Sequence, residues 1–244
     1  MPQPAFEIIN EDRPGPWLLT CDHATNRVPE EIGGGDLGLS DEDMERHIAY
    51  DVGAAGVTRH LARMLDCPAV LSTFSRLVID PNRGDEDPTQ IMQLYDGTII
   101  PQNRNIDAAE TERRREHYHR PYHDAVARLA ARAPETPYIA VHSFGPKLVG
   151  RAPRPWHVGF LHSGDTRLSD PVIERLSQDP NLCIGDNQPY SGHLPGDSVD
   201  RHALSTGRPN LLIEVRHDLI RTDEEQAYWA GILAPVLQEA AAKL

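Results

Sequence analysis

Cysteine is scarce: the 244 residues hold three, Cys21, Cys67 and Cys183. The number is odd and the spacing suits no metal finger, so neither a disulfide framework nor a zinc ribbon organises the fold. Each lies in or beside an apolar run, as a buried free thiol does. No apolar stretch approaches the roughly 18 residues of a membrane-spanning helix. No basic segment leading into an apolar h-region opens the chain, so the reading is cytoplasmic, with no membrane partner. Positive charge is also short, with 24 Lys and Arg against 37 Asp and Glu, a net charge of -13. That balance excludes nucleic acid as a natural partner and is read as solubility. Two catalytic signatures are missing as well. There is no Gly-x-Ser-x-Gly elbow for a serine hydrolase and no His-Glu-x-x-His for a helical zinc protease. Gly33-Gly34-Gly35 lacks the strand-to-helix context of a phosphate loop. No repeat divides the sequence, and one domain over residues 1–244 is expected.

The chain does have short apolar runs that end abruptly in polar clusters. Leu18-Leu19-Thr20-Cys21 runs into Asp22-His23-Ala24-Thr25-Asn26-Arg27-Val28-Pro29. Tyr138-Ile139-Ala140-Val141 runs into His142-Ser143-Phe144-Gly145-Pro146, and Leu211-Leu212-Ile213 into Glu214-Val215-Arg216. Buried strands change character in this way where they leave a sheet, and α/β folds gather their chemistry at the carboxyl ends of strands.

The segments between these runs set the remaining expectations. Residues 1–15 read as a loose lead-in. Ser40, with Asp43 three residues on, starts a helix whose Val57, Leu61 and Leu65 form a core-facing stripe. Ala69 to Phe74 reads as a strand, and the alternating Leu77 and Ile79 as a half-buried strand before the Asp80-Pro81-Asn82-Arg83-Gly84 turn. Residues 84–106 are irregular, a length that suits a lid or a binding loop. Asp107 to Arg132 is helical, with a kink or break at Pro121. Further strands are expected at Trp156–Leu161, ending at His162, and at Leu182–Ile184, with a helix over Ser169–Gln178. Thr222 and Glu225 form a capping box for a closing helix that Pro235 bends.

Several residues are candidates for chemistry. His23 and His142, at strand ends beside acids and amides, are candidate metal ligands. His47 and Asp51 are four apart on the helix opened by Ser40 and share a face. They are either a surface pair, or Asp51 reaches the site as a ligand or as the carboxylate that orients a ligand histidine. Glu214 ends a buried run, where a carboxylate is either paired with arginine or held with a raised pKa for proton transfer. Arg76 and Arg83 offer planar forks to a carboxylate, and Asn82 adds amide donors. Lys147, Arg151 and Arg154 make a basic loop, and Tyr190 is placed to cover a pocket. His117, His119 and His123 lie on an Arg/Glu-rich helix and are read as structural. A metal with three protein ligands and an open position, a carboxylate to carry a proton and arginines to hold a substrate acid suit amide hydrolysis on an acidic small molecule.

Six pieces taken together carry a resemblance: Asp22–Pro29, Ala49-Tyr50-Asp51-Val52-Gly53-Ala54, Ser75–Arg83, Val141–Pro146, Asn187-Gln188-Pro189-Tyr190-Ser191-Gly192 and Ile213–Arg216. Over nearly its whole length the chain resembles the N-formylglutamate amidohydrolase family, itself similar to zinc carboxypeptidases and aspartoacylases. The resemblance implies a three-layer α/β/α sandwich with a mixed sheet, of the phosphorylase/hydrolase-like kind. It implies zinc or another divalent transition metal, with His23 and His142 as the first and last metal histidines and Glu214 as the general base. Asp80-Pro81-Asn82-Arg83 is similar to the Asp-Leu-Asn-Arg element with which aspartoacylases grip substrate. The substrate-binding set is then Arg76, Asn82, Arg83, Arg151, Arg154, Tyr190 and Arg216, and the reaction is cleavage of the amide of an N-acyl acidic amino acid, such as N-formyl-L-glutamate to formate and the amino acid.

One departure stands out. Carboxypeptidases carry His-x-x-Glu, and here the fourth position is Asn26. Amide oxygen is a weak zinc ligand, so either Asp51 supplies the carboxylate or the metal is held loosely. The alternative is a metal-poor, non-catalytic binding module for an acidic metabolite on the same fold.

Overall fold

The structure, a computed structural model, describes residues 3–192 and 194–244. In chain order its elements are β1 (Phe6–Ile9), β2 (Leu18–Cys21), α1 (Asp41–Met44), α2 (Ala54–Met64), β3 (Ala69–Ser72), β4 (Leu94–Tyr95) and β5 (Thr98–Ile99). Then follow α3 (Ala108–Arg114), α4 (Arg120–Ala130), β6 (Tyr138–Phe144), β7 (Val158–Leu161), α5 (Ser169–Leu176), β8 (Ile184–Asp186), α6 (Ser198–His202), β9 (Asn210–Arg216) and α7 (Asp223–Ala241). Seven strands form one sheet in the order β1-β3-β2-β6-β9-β7-β8. The pairs β3–β2, β2–β6, β6–β9 and β7–β8 are parallel, whereas β1–β3 and β9–β7 are antiparallel. The sheet is mixed, as the family resemblance implies.

Side chains alternate across the pleat and so sort the core into two layers. Leu19, Cys21, Ile139, Val141, Leu211, Ile213 and Val215 face a layer built by α2, α5 and α7. Leu18, Val70, Tyr138, Ala140 and Leu212 face the opposite layer, where Tyr122, Val126 and Leu129 of α4 and Val199 of α6 pack. Asp22, His142 and Glu214 continue this second face past the apolar run. The side chains of the central strands thus turn polar on one face, at their carboxyl ends. Among the described residues no helix is long and apolar enough to cross a membrane.

Several expectations change. The lead-in is not loose: β1 pairs antiparallel with β3 and forms the sheet edge. The helix expected from Ser40 to Leu65 is two helices, α1 and α2, separated by turns over 45–53. Gly53 closes the break: it starts α2 in the left-handed region (φ 79°), and a Cβ there would lie 2.1 Å from the Ile220 carbonyl oxygen. A bond from the Asp51 amide to the His23 carbonyl (2.9 Å) fixes the segment against the end of β2. His47 and Asp51 therefore share no helix face.

Leu77-Val78-Ile79 is fully buried but is not a strand. The carbonyls of Leu77 and Val78 accept from the side chains of Asn103 and Arg114 (2.8 Å each), which do the work of a neighbouring strand. Between α3 and α4 the helix widens to a π turn at Arg115–His119, next to Pro121 in the first turn of α4. Proline has no amide to donate, and the widened turn absorbs the mismatch. Residues 84–106 carry a small hairpin, β4–β5, turned on Asp96 and Gly97 (φ 43° and 82°). Arg46 pins it through Thr98 and Asp96. The short strand expected at Leu182–Ile184 lies slightly later, at β8.

Candidate metal centre and catalytic cavity

Two central strands and one loop bring two imidazoles and a carboxylate together. His23 follows β2, His142 is in β6, and Asp51 is held under them by its amide bond to His23. The side chains are buried, and one ligand atom from each falls within 4.8 Å of the others. Asp51 Oδ2 is the meeting point: His142 Nδ1 lies 2.8 Å from it and His23 Nδ1 3.3 Å, and the Ser143 amide donates to it at 3.2 Å. Each imidazole is tied on its outer side to a different carboxylate. His23 Nε2 is 2.7 Å from Asp80 Oδ1, and His142 Nε2 is 3.1 Å from Asp22 Oδ2. A carboxylate behind each histidine holds the proton on the outer nitrogen and leaves the inner lone pair for a metal. The donor set, two imidazole nitrogens and a carboxylate oxygen, suits zinc or a related divalent transition metal. The residues fit such an ion.

The electrostatics point the same way. Burial works against ionising Asp51 and Asp80, yet both stay well below the usual carboxylate range. His23 and His142 offset the burial for Asp51, and Arg76 and His23 do so for Asp80. Asp22, equally buried, is drawn down to about 2, chiefly by His142. His142 resists the effect of burial and is raised well above its ordinary value by Asp22 and Asp51. A divalent cation held by these groups would compete with a proton on His142.

Glu214 behaves differently. Burial pushes its carboxyl up to about 7, with the Asp51 charge adding to this and the charges of His142, His23 and Arg76 opposing it. Its Oε2 is buried and has no hydrogen-bond partner among the described residues. His47 Nδ1 also makes no hydrogen bond among the described residues, although it lies 3.4 Å from Asp51 Oδ1, and burial lowers that imidazole's pKa to about 3, leaving it neutral.

Both side chains line a cavity of about 290 Å³ together with His23, Asp51 and His142. Arg76, Asn82, Arg83, Tyr95 and Tyr190 complete the wall on one side, and Leu161, Leu194 and Leu212 are its apolar part. The cavity thus brings together His23, Asp51, His142, Glu214, Arg76, Asn82, Arg83 and Tyr190 from the sequence candidates.

Other candidates are placed elsewhere. Asn26 does not join the imidazoles: its amide donates to the Met44 carbonyl (3.0 Å) and to Glu45 (3.1 Å). Arg151 is exposed. Arg154 is held by the Gly145 carbonyl and the Tyr190 hydroxyl, stacked over the Tyr190 ring. Arg216 pairs with Asp218 and donates to carbonyls of residues 154–156, not to Glu214. Arg76 reaches the cavity with its fork already filled, by Asp80 (2.7 and 3.0 Å) and Asp51 (3.4 Å). His162 bonds Asp186 away from the cavity (2.8 Å). His119 and His123 are buried structural groups, bonded to the Arg83 and Pro81 carbonyls behind the Asp-Pro-Asn-Arg turn (3.1 and 2.9 Å). His193, last residue of the Tyr190 loop, lies outside the described residues.

Sequence reasoning missed the roles of Asp22 and Asp80 as the carboxylates behind the histidines. It also left His47 as a possible surface residue. For Asp80 a signal was present: an acid in a turn directly after a buried run, in a chain already suspected of binding metal through histidine. Asp80→Asn is expected to weaken metal binding about 10- to 100-fold. Competition against a chromogenic chelator measures this, with Asp186→Asn, at the surface pair with His162, as the unaffected control.

A mixed α/β sheet with an imidazole–carboxylate group and a lone buried glutamate at the ends of its central strands has the build of a hydrolase. The family is specific: the N-formylglutamate amidohydrolase profile matches residues 15–221, and the chain belongs to that family. Among solved structures, a gene product of Agrobacterium tumefaciens is 33% identical, with a TM-score of 0.92 over 98% of this chain and 96% of that one. An N-formylglutamate amidohydrolase from Ralstonia eutropha shares the fold at 22% identity, with a TM-score of 0.75 over 98% of both chains. No curated protein matches the sequence.

Proposed function

We propose that this chain is a metal-dependent amidohydrolase that cleaves the amide of an N-acyl acidic amino acid, N-formyl-L-glutamate above all. The observation that carries this is one cavity holding both the His23–Asp51–His142 group and the unpaired, high-pKa carboxylate of Glu214. His23, Asp51 and His142 would hold the ion. Bound there, a divalent metal supplies Lewis acidity, activating water and polarising the scissile carbonyl. Glu214 takes the proton of the attacking water and gives it to the leaving nitrogen. The new C–O bond forms at the acyl carbon, the C–N bond then breaks as the nitrogen receives the proton, and the products are formate and the free amino acid. Asn82, Arg83 and Tyr190 line the same cavity and would meet the amino-acid part of the substrate. The sheet draws strands from Phe6 to Arg216, and residues 1–244 are read as one catalytic domain.

The position of Asp51 beside both imidazoles speaks against a metal-poor binding module, because it would supply the carboxylate that Asn26 lacks. Metal content of the purified protein, paired with formate release from N-formyl-L-glutamate before and after chelation, tests the proposal. Turnover that falls with chelation and returns with added zinc is the expected result. Fully folded, metal-loaded protein that releases no formate or amino acid from a panel of N-acyl acidic amino acids overturns it.

A further inference from the structure

A second hollow, of about 470 Å³, adjoins the catalytic cavity. The two share His47 and Tyr95 as wall residues. Beyond that wall stand Tyr50, Lys147, His217 and Arg221. Lys147 lies on the loop that leaves β6 after His142, and Arg221 on the turn that leaves β9 after Glu214. The strands that carry the candidate chemistry therefore also deliver these cations.

A charge count separates this hollow from the rest of the cleft. In the catalytic cavity the Arg76 fork is taken up by Asp80 and Asp51. Arg83 is engaged by Thr89, the Asn82 carbonyl and Asp87. In the second hollow Arg46 is matched by Asp43 (2.7 Å) and Asp96 (3.2 Å). Glu45, the remaining acid there, accepts from Tyr50 and Asn26. Lys147 and the Arg221 guanidinium have no acidic partner among the described residues. His217 Nδ1 is buried and unpaired, and its ring lies 6.0 Å from that of His47. Two cations without an acidic partner and a buried unpaired imidazole nitrogen thus line one hollow.

We propose that this second hollow is the subsite for the side-chain carboxylate of the substrate, gripped by Lys147, Arg221 and the His217 imidazole while the N-acyl amide lies in the catalytic cavity. The proposal rests on the hydrolase reading above and gives it a specificity determinant. The hollow selects acidic over neutral side chains, a task the filled fork of Arg76 cannot perform. Charge-assisted bonds of this kind are strong enough to shift binding by about 10- to 100-fold.

Two measurements on the full chain decide it. The first is the ratio of kcat/KM for N-formyl-L-glutamate to that for N-formyl-L-glutamine, in the wild type and in a Lys147→Met/Arg221→Met double variant. The side chains replaced are exposed, and the variant is expected to fold. The ratio is expected to collapse about 10-fold or more toward unity, through KM for the acid, and Lys147→Arg is expected to restore part of it. An unchanged ratio in an active enzyme overturns the subsite and leaves the hydrolase reading standing. The second is calorimetric titration of metal-loaded protein with glutarate. If the wild type hydrolyses neither substrate, the hydrolase reading fails, and the titration alone judges the subsite. Glutarate binding that the double variant loses supports it. Equal binding by both proteins, or none by either, overturns it.

Discussion

Glu214→Gln is expected to lower kcat about 10²- to 10⁴-fold, the usual worth of a positioned proton carrier, with little change in KM. Glutamine keeps the shape and gives up the proton. The same carboxyl sets a pH signature. With burial holding its pKa at about 7, the base is unprotonated only above that value, so kcat/KM of the wild type falls as pH drops through about 7. A cation bound beside it moves that limb to lower pH, and the glutamine variant has no such limb.

Stability moves the other way. The ordinary value for this carboxyl is 4.5 and the folded value is about 7. The folded state therefore favours the protonated form, and the stability this contributes is complete below 4.5 and lost as pH rises to about 7. Above that, the buried charge costs on the order of 3 kcal/mol, before any cation offsets it. Chelated Glu214→Gln protein at pH 8 should therefore melt above chelated wild type. A variant that retains full kcat, or that melts below wild type at pH 8, rules out the role assigned to Glu214.

The second large effect concerns Asp51. Asp51→Asn is expected to reduce metal content from about one ion per chain to almost none, because it puts an amide where both imidazoles converge. It also leaves Arg76 with only Asp80, and loss of one partner from a buried ion-pair group costs roughly 3–5 kcal/mol. Thermal melting must therefore accompany the metal measurement. Asp51→Glu separates the two effects: it keeps the charge and the fold but displaces the donor oxygen, so metal is weakened while the melting temperature changes less. Asn26→Ala is the contrasting case. It removes bonds to Met44 and Glu45 outside the cavity, about 1 kcal/mol of stability, and leaves metal content unchanged. Metal loss with Asn26→Ala and retention with Asp51→Asn would reverse the assignment.

These two residues also show what sequence can and cannot disclose. His23, His142 and Glu214 are legible because a central strand announces its end: apolar side chains stop and a polar one follows in register on the same face. Asp51 is legible as a candidate, though for a local reason that fails, since the helix thought to align it with His47 stops at Met44. What aligns it is a backbone bond to His23, and no periodicity records such a bond. Leu77-Val78-Ile79 has the composition of a strand because composition reports burial. Whether a buried backbone is a strand depends on which groups meet its carbonyls, here Asn103 and Arg114 from far along the chain. The arginines are the least legible. Arg76, Arg83, Arg154 and Arg216 look alike as free forks in the sequence. Which of them are already filled is decided by acids and carbonyls that only the fold brings near.

His142 and Glu214 are direct Cα partners across the parallel pair β6–β9. The proposed metal ligand and the proposed proton carrier are thus one rung of a ladder whose two rails are far apart in the chain and join only when residues between them have folded over the sheet. A slip of one residue would turn Glu214 into the opposite apolar layer and bring Val215 to the cavity. Distant pairings of this kind close late in folding, because their loops must be ordered before contact is rewarded. On the roles proposed for these two residues, recovered activity would serve as a proofreading signal, appearing only in molecules whose sheet has settled in the correct register.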